Sequence, residues 1–251
     1  MPLIVIPHEF NVIGGLLGLG PDILLDLLSE MIEIQDAFQL ISVCKKLLKL
    51  KNHDRYIKII ETFNYPIAIH NPDPYDFYFS DYDRKMKMIT KNQTQNNSFS
   101  LTQVIEDGVW SFETIFDAFA NDGCGGVGIV RDSYIIPTGT NPYSSPHNQH
   151  MVVYFGKTAG KGTVCYKGIQ TSGNIEFTNN QIVKLEFDSE KGTLIFFVDG
   201  VRQPIYIQGI KEKVRFFIFM YFSGSTCTIG SLKRLVTPTS GHIGNEESIE
   251  W

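Results

Sequence analysis

Hydrophobic residues change their rhythm near position 64 of this chain. Between residues 21 and 62 (PDILLDLLSEMIEIQDAFQLISVCKKLLKLKNHDRYIKIIET), Leu24, Leu27, Leu28 and Met31 return every three or four positions, the period of one helix face. Pro21 suits a first helical position and Asp22 the positive end of the helix dipole, which predicts an amphipathic helix beginning there. Asp36 suits the N-cap of a second helix whose apolar side carries Phe38, Leu40 and Ile41, continued by Leu47, Leu48 and Leu50 behind Lys45 and Lys46. A last short helix is expected to carry Tyr56, Ile57, Ile60 and Phe63. About 40 residues of helix are few for a self-sufficient core, so this segment is expected to lean on the following domain or on a partner.

From Asn64 onward the period is two. Val183, Leu185 and Phe187 alternate with Lys184, Glu186 and Asp188, apolar on one strand face and charged on the other. DSEKG then makes a turn, TLIFFV a second strand, and Asp199-Gly200 a two-residue hairpin whose type I′ turn wants positive φ at both positions. Residues 214–222, VRFFIFMYF, are apolar on both faces and need cover on the second, by another sheet or by the helical segment. These runs predict antiparallel strands in a two-sheet sandwich.

Glycines at 123, 125 and 128 spell G-x-G-x-x-G, a pattern that cradles phosphate only between a strand and a helix N-terminus. Pro137, Gly139, Pro142 and Pro146 follow and cannot support the crossover helix a dinucleotide unit requires. GGVGIV is therefore read as a core strand whose missing side chains admit a close aromatic, with Trp110 and Phe112 as candidates.

Composition narrows the function classes. With 251 residues, 43% of them hydrophobic, the chain can bury a real core, and a net charge of −5 offers no basic field for nucleic acid or an anionic membrane. Cys44, Cys124, Cys165 and Cys227 lie far apart, without the C-x-x-C pairs of a zinc site, and read as reduced thiols. His147 and His150 form H-x-x-H, but amid prolines and without the glutamate and helix of a metalloprotease. The beginning of the chain lacks a basic leader pattern and no apolar run is long enough to span a bilayer, so a cytoplasmic or nuclear protein is expected. No cofactor and no metal is expected.

Two resemblances attach to these residues. Residues 65–235 resemble a SPRY domain: Gly108-Val109-Trp110-Ser111-Phe112-Glu113, Gly125-Gly126-Val127-Gly128-Ile129, Gly168, VKLEFDSEKGTLIFFVDG and VRFFIFMYFSGSTCTIG stand in the family's order. Residues 19–62 resemble an F-box through Pro21, the pairs Leu24-Leu25 and Leu27-Leu28, and Val43-Cys44-Lys45-Lys46. Together they imply a mainly β protein: an antiparallel SPRY-like (concanavalin-like) sandwich over 65–236 and an all-α module over 1–64; TPTSGHIGNEESIE by its own composition reads as a flexible acidic tail, 237–251.

The first resemblance implies recognition of a protein or peptide segment through loops at one end of the sandwich, without catalysis. The second implies docking of a Skp-type cullin adaptor through Pro21, Leu24, Leu25 and Leu28, making the chain a substrate adaptor of a ubiquitin ligase. Candidate peptide-contacting residues are Tyr75, Tyr78 and Tyr82 in DPYDFYFSDYDRK and Tyr143 in the proline-rich loop 137–149, with loop 156–162 beside them. Tyr75, Tyr78 and Tyr82 can equally belong to an edge strand whose rings enter the core. KNQTQNNS, 91–98, reads as a flexible polar loop. The rivals are a lectin-like sandwich taking glycans and a hydrolase on the same scaffold.

Overall fold

The computed structural model describes residues 13–31, 34–81, 86–117, 122 and 124–251. The chain divides into two compact units, Met1–Tyr65 and Pro66–Trp251. No helix among the described residues is long and apolar enough to cross a membrane.

In the first unit, α1 (Pro21–Ser29), α2 (Ile34–Ser42), α3 (Lys45–Leu48) and α4 (Asp54–Thr62) close around Leu24, Leu25, Leu28, Ile41, Leu47 and Ile59. Pro21 opens α1 with Asp22 in the first turn, as its chemistry predicts. Asp36 lies inside the first turn of α2 rather than at its cap, because the helix already includes Ile34, earlier than expected. His53 caps α4 by accepting the Arg55 N–H on Nδ1 at 3.2 Å. The helices share one apolar cluster.

The second unit contains β1 (Ile69–His70), β2 (Phe77–Asp81), β3 (Lys87–Lys91), β4 (Asn97–Leu101), β5 (Val109–Asp117), β6 (Gly125–Arg131) and β7 (Met151–Phe155). The short helix α5 (Lys157–Gly160) follows, then β8 (Val164–Tyr166), β9 (Ile169–Thr171), β10 (Ile182–Asp188), β11 (Thr193–Val198) and β12 (Val201–Arg202). The chain continues through β13 (Ile205–Gln208), β14 (Val214–Met220), β15 (Thr226–Leu235) and β16 (Glu247–Glu250). One sheet runs β1-β4-β14-β6-β7-β8-β9 and the other β16-β13-β11-β10-β5-β15-β3-β2, with β12 paired to β11.

Alternation set these pairings. Val183 faces Val198 and Phe187 faces Leu194 across β10 and β11, and Asp199 and Gly200 both take positive φ, 48° and 79°, in the turn before β12. Phe112 of β5 stacks on Phe216 of β14 at 5.0 Å, and Phe116 stacks on Phe177 at 5.4 Å, so aromatic faces fill the space between the sheets. Every residue of β14 is buried. Its outward Phe217 and Phe219 are covered within this unit by Ile136 and Tyr134 of the loop after β6 and by Ala159 of α5.

The glycines of β6 answer to different neighbours than expected. A Cβ at Gly125 would strike the Phe116 ring, one at Gly126 would lie 2.7 Å from Val153 Cγ2, and one at Gly128 would overlap the Val152 carbonyl oxygen. Phe116, Val153 and the β7 backbone, not Trp110 and Phe112, occupy the vacated space; Gly123 lies outside the described residues.

Two further expectations are corrected. Asn97 and Ser98 belong to β4 and are fully buried, so the stretch 91–98 is not wholly a flexible loop. Residues 247–250, expected in a flexible acidic tail, form β16 and pair in parallel with β13.

Candidate functional site

One end of the sandwich is built around a buried charge. Lys91, the last residue of β3, and Asp76, just before β2, form an ion pair with both side chains at 0% exposure. Asn97 Nδ2 donates to Asp76 Oδ2 at 2.9 Å and to Asp73 Oδ2 at 3.2 Å, and the Gln93 N–H donates to Asp76 Oδ1 at 2.9 Å. Burial by itself pushes the Asp76 carboxyl up, but Lys91, Asn97 and the Gln93 N–H outweigh it and hold the group below the ordinary carboxylate range. The Gly139 N–H donates to Asn97 Oδ1 at 3.2 Å, Ser98 Oγ to the Thr140 carbonyl at 3.0 Å, and Thr138 Oγ1 to the Pro72 carbonyl at 2.6 Å. The Gln95 N–H donates to the Tyr221 carbonyl at 3.0 Å. Loops 71–76, 92–97, 137–141 and 221–225 are thereby tied together.

Beside this network lies a recess of about 300 Å³. Asn96, Asn141 and Gln170 contribute amides, and Tyr143, Phe155, Phe219, Tyr221 and Phe222 contribute rings; Thr158, Ala159 and Cys124 complete the lining. Phe155 meets Phe219 edge-on at 5.7 Å, and Tyr221 meets Phe222 edge-on at 4.9 Å. Gly160 lets α5 lie on Phe155, since a Cβ there would come within 2.7 Å of Phe155 Cβ. Asp122 anchors α5 by accepting from Lys157 Nζ at 3.2 Å, while its carbonyl accepts from Thr158 Oγ1 at 2.5 Å. Burial pushes the Cys124 thiol up to about 11, so this sulfur is a poor nucleophile at neutral pH. The described lining residues carry no formal charge; they offer amide hydrogen bonds and ring faces.

Of the three candidate tyrosines among the described residues, the recess takes one. Tyr143 lines it at 39% exposure. Tyr75 projects from the neighbouring loop at 84% exposure, its carbonyl accepting from Asn92 Nδ2 at 3.2 Å. Tyr78 faces outward on the edge strand β2, while Phe77 and Phe79 of that strand pack on Phe99. Tyr82 lies outside the described residues. The loops 137–149 and 156–162 do converge, through Asn141, Tyr143, Thr158 and Ala159. Asn96, Phe219, Tyr221 and Phe222 were not anticipated; the available signal was the aromatic run overshooting the end of β14 into Ser223-Gly224.

Of the adaptor candidates, Leu24, Leu25 and Leu28 are at 0% exposure within the helical cluster and cannot present a surface, whereas Pro21 is exposed. The exposed apolar residues of α1 are Ile23 and Leu27. His147 and His150 are both engaged by Tyr134: its hydroxyl meets His147 Nδ1 at 2.6 Å and its ring stacks on His150 at 4.2 Å.

No protein-family model and no curated protein sequence matches the chain. Among solved structures, the TRIM65 PSpry domain aligns with a TM-score of 0.51 at 12% identity, over 65% of this chain and 90% of that one. The SPRY domain of human HERC1 aligns at 0.48 and 16% identity over 63% and 96%. A Bacillus subtilis carbohydrate-binding module aligns at 0.41 and 9% identity over 67% and 95%. The first of these likenesses, with the sheet order above, shows a SPRY-type sandwich preceded by a helical module.

Proposed function

We propose that the sandwich is a non-catalytic recognition module that seats an uncharged segment of another protein in the recess between Tyr143 and Phe222. The observation that carries this reading is the lining itself: amides at Asn96, Asn141 and Gln170 interleaved with five rings, on loops fixed by a buried ion pair. Amides satisfy an extended backbone, rings cover apolar side chains at low entropic cost, and a volume of about 300 Å³ admits a few side chains. Among the described lining residues, amides and rings suit binding of a segment better than proton transfer to it.

The experiment is selection of a displayed peptide library against the full chain, followed by affinity measurement on Tyr143→Ala and Phe222→Ala. Each variant is expected to weaken the selected peptide by about tenfold or more, as truncating a central anchor does, with Tm unchanged. Peptides that bind all three proteins equally would exclude the recess. A parallel glycan array that gives saturable, Tyr143-dependent binding where no peptide does would transfer the site to the lectin-like reading.

The helical unit supports the finer part of this proposal. A cytoplasmic or nuclear substrate adaptor would dock its Skp-type partner through exposed Pro21, Ile23 and Leu27, not through the buried leucines. Ile23→Asp with Leu27→Asp should abolish co-purification of such an adaptor while leaving the helical circular dichroism intact. Equal recovery with wild type would remove the adaptor role.

A further inference from the structure

The edge strand β16 is held differently from the rest of the sandwich. Its residues are exposed or half-buried, unlike those of β14, and it is joined to β13 by parallel pairing from Ile205–Glu247 to Gln208–Glu250. The Glu247 N–H donates to the Pro204 carbonyl and the Trp251 N–H to the Gln208 carbonyl, each at 3.0 Å. Beyond the strand, Trp251 leaves its own sheet and lies flat on Tyr166 of the other, ring centres 4.9 Å apart and planes 2° from parallel. The Arg131 guanidinium covers the indole at 4.9 Å, and the indole N–H donates to Glu212 at 2.7 Å. Arg131 is itself paired with Glu212, which fixes the shelf without help from the tryptophan.

Each part of this arrangement recognises something. The β13 edge offers backbone donors and acceptors to any extended segment. The Tyr166–Arg131 slot accepts a planar ring, and Glu212 selects one bearing an N–H donor. Because β16 buries little apolar surface, its attachment belongs to the low-stability end of the structure and opens locally without global unfolding.

We propose that the β13 edge with the Tyr166–Arg131–Glu212 shelf is a second peptide-recognition site, for an extended segment carrying a tryptophan, and that Glu247–Trp251 is its built-in, releasable occupant. The site is separate from the recess beside Tyr143 and does not depend on what the recess binds. Release of the segment in one molecule opens the site to the same chemistry offered by a partner.

The test uses a fluorescein-labelled, amide-capped peptide of residues 245–251 (NEESIEW) and full-length protein. An occupant docked for nine-tenths of the time weakens a competitor about tenfold, so Trp251→Ala protein should bind the peptide at least about tenfold more tightly than wild type. The same peptide with alanine for tryptophan should not bind. Equal affinity of wild type and Trp251→Ala, or no binding by either, overturns the proposal. A concentration-dependent dimer of wild type that the peptide dissolves supports the site, with a second copy as partner. Hydrogen exchange on unmodified protein probes the release step independently. The Glu247 and Trp251 amides should exchange at least about a hundredfold faster than those of β10 and β11, through local opening. Exchange as slow as that core hairpin would make β16 a fixed part of the fold and sink the idea.

Discussion

Lys91→Met keeps the length and bulk of the side chain while deleting the charge opposite Asp76. In the native protein both partners are at 0% exposure, so water cannot take the place of the lost ammonium. Breaking a buried pair by removing one partner costs about 3–5 kcal/mol, because the remaining charge keeps its desolvation penalty without its Coulombic return. Asp76 still accepts from Asn97 Nδ2 at 2.9 Å and the Gln93 N–H at 2.9 Å, which places the expected loss near the lower limit, about 3 kcal/mol.

Urea unfolding read by tryptophan fluorescence isolates this effect, since both tryptophans of the chain, Trp110 and Trp251, lie in the Pro66–Trp251 unit. The dependence on pH identifies the mechanism. The Asp76 carboxyl is held below its unfolded value of ~3.9, so its contribution is fully present above that pH and is lost as pH falls through the lower folded value. The gap between wild type and Lys91→Met should therefore be widest between about pH 5 and 7 and should narrow toward pH 2–3. A loss under about 1 kcal/mol at pH 7, or a gap that does not change with acid, would refute the buried-pair account.

Other substitutions test other parts of the structure. Gly128→Ala should cost about 3 kcal/mol or more, because the new methyl overlaps the Val152 carbonyl and neither backbone can move without breaking the β6–β7 ladder. Gly244→Ala, with open space around it, should shift stability by less than about 0.5 kcal/mol in the same urea series. Trp110, 4% exposed with its indole N–H donated to the Asp107 carbonyl at 2.8 Å, should cost about 3–5 kcal/mol on replacement by alanine, and a shift under about 1 would place it at the surface. Burial pushes the thiols of Cys124 and Cys165 up to about 11 and that of Cys227 up to about 12, leaving Cys44 half-buried. Iodoacetamide at pH 8 should thus modify one cysteine quickly in native protein and all four in urea, as counted by mass spectrometry.

Residues whose partners are near in the chain were legible before any coordinates. Val183 to Phe187 alternate because one strand face meets the core, and Asp199-Gly200 turns because those two residues tolerate positive φ. Pro21 and Asp22 begin α1 for equally local reasons. Tyr143 was legible as a loop aromatic, though the same reasoning could not separate it from Tyr78, which points away on an edge strand.

Lys91, Leu24 and Trp251 show where that reading stops. A lysine in KMITKNQTQ looks solvated until Asp76, fifteen positions earlier, is folded against it. Leu24, Leu25 and Leu28 look like a docking stripe until neighbouring helices cover them. The pairing of 205–208 with 247–250 has no local signature, since nothing adjacent in the chain to either short strand points to the other. The chain by itself determined periods, turns and caps, because these depend on the φ, ψ and solvation preferences of adjacent residues. Which rings share a recess, which charge is buried and where the last tryptophan lies were decided only by tertiary structure, because contacts between distant residues exist only once the sheets have brought them together.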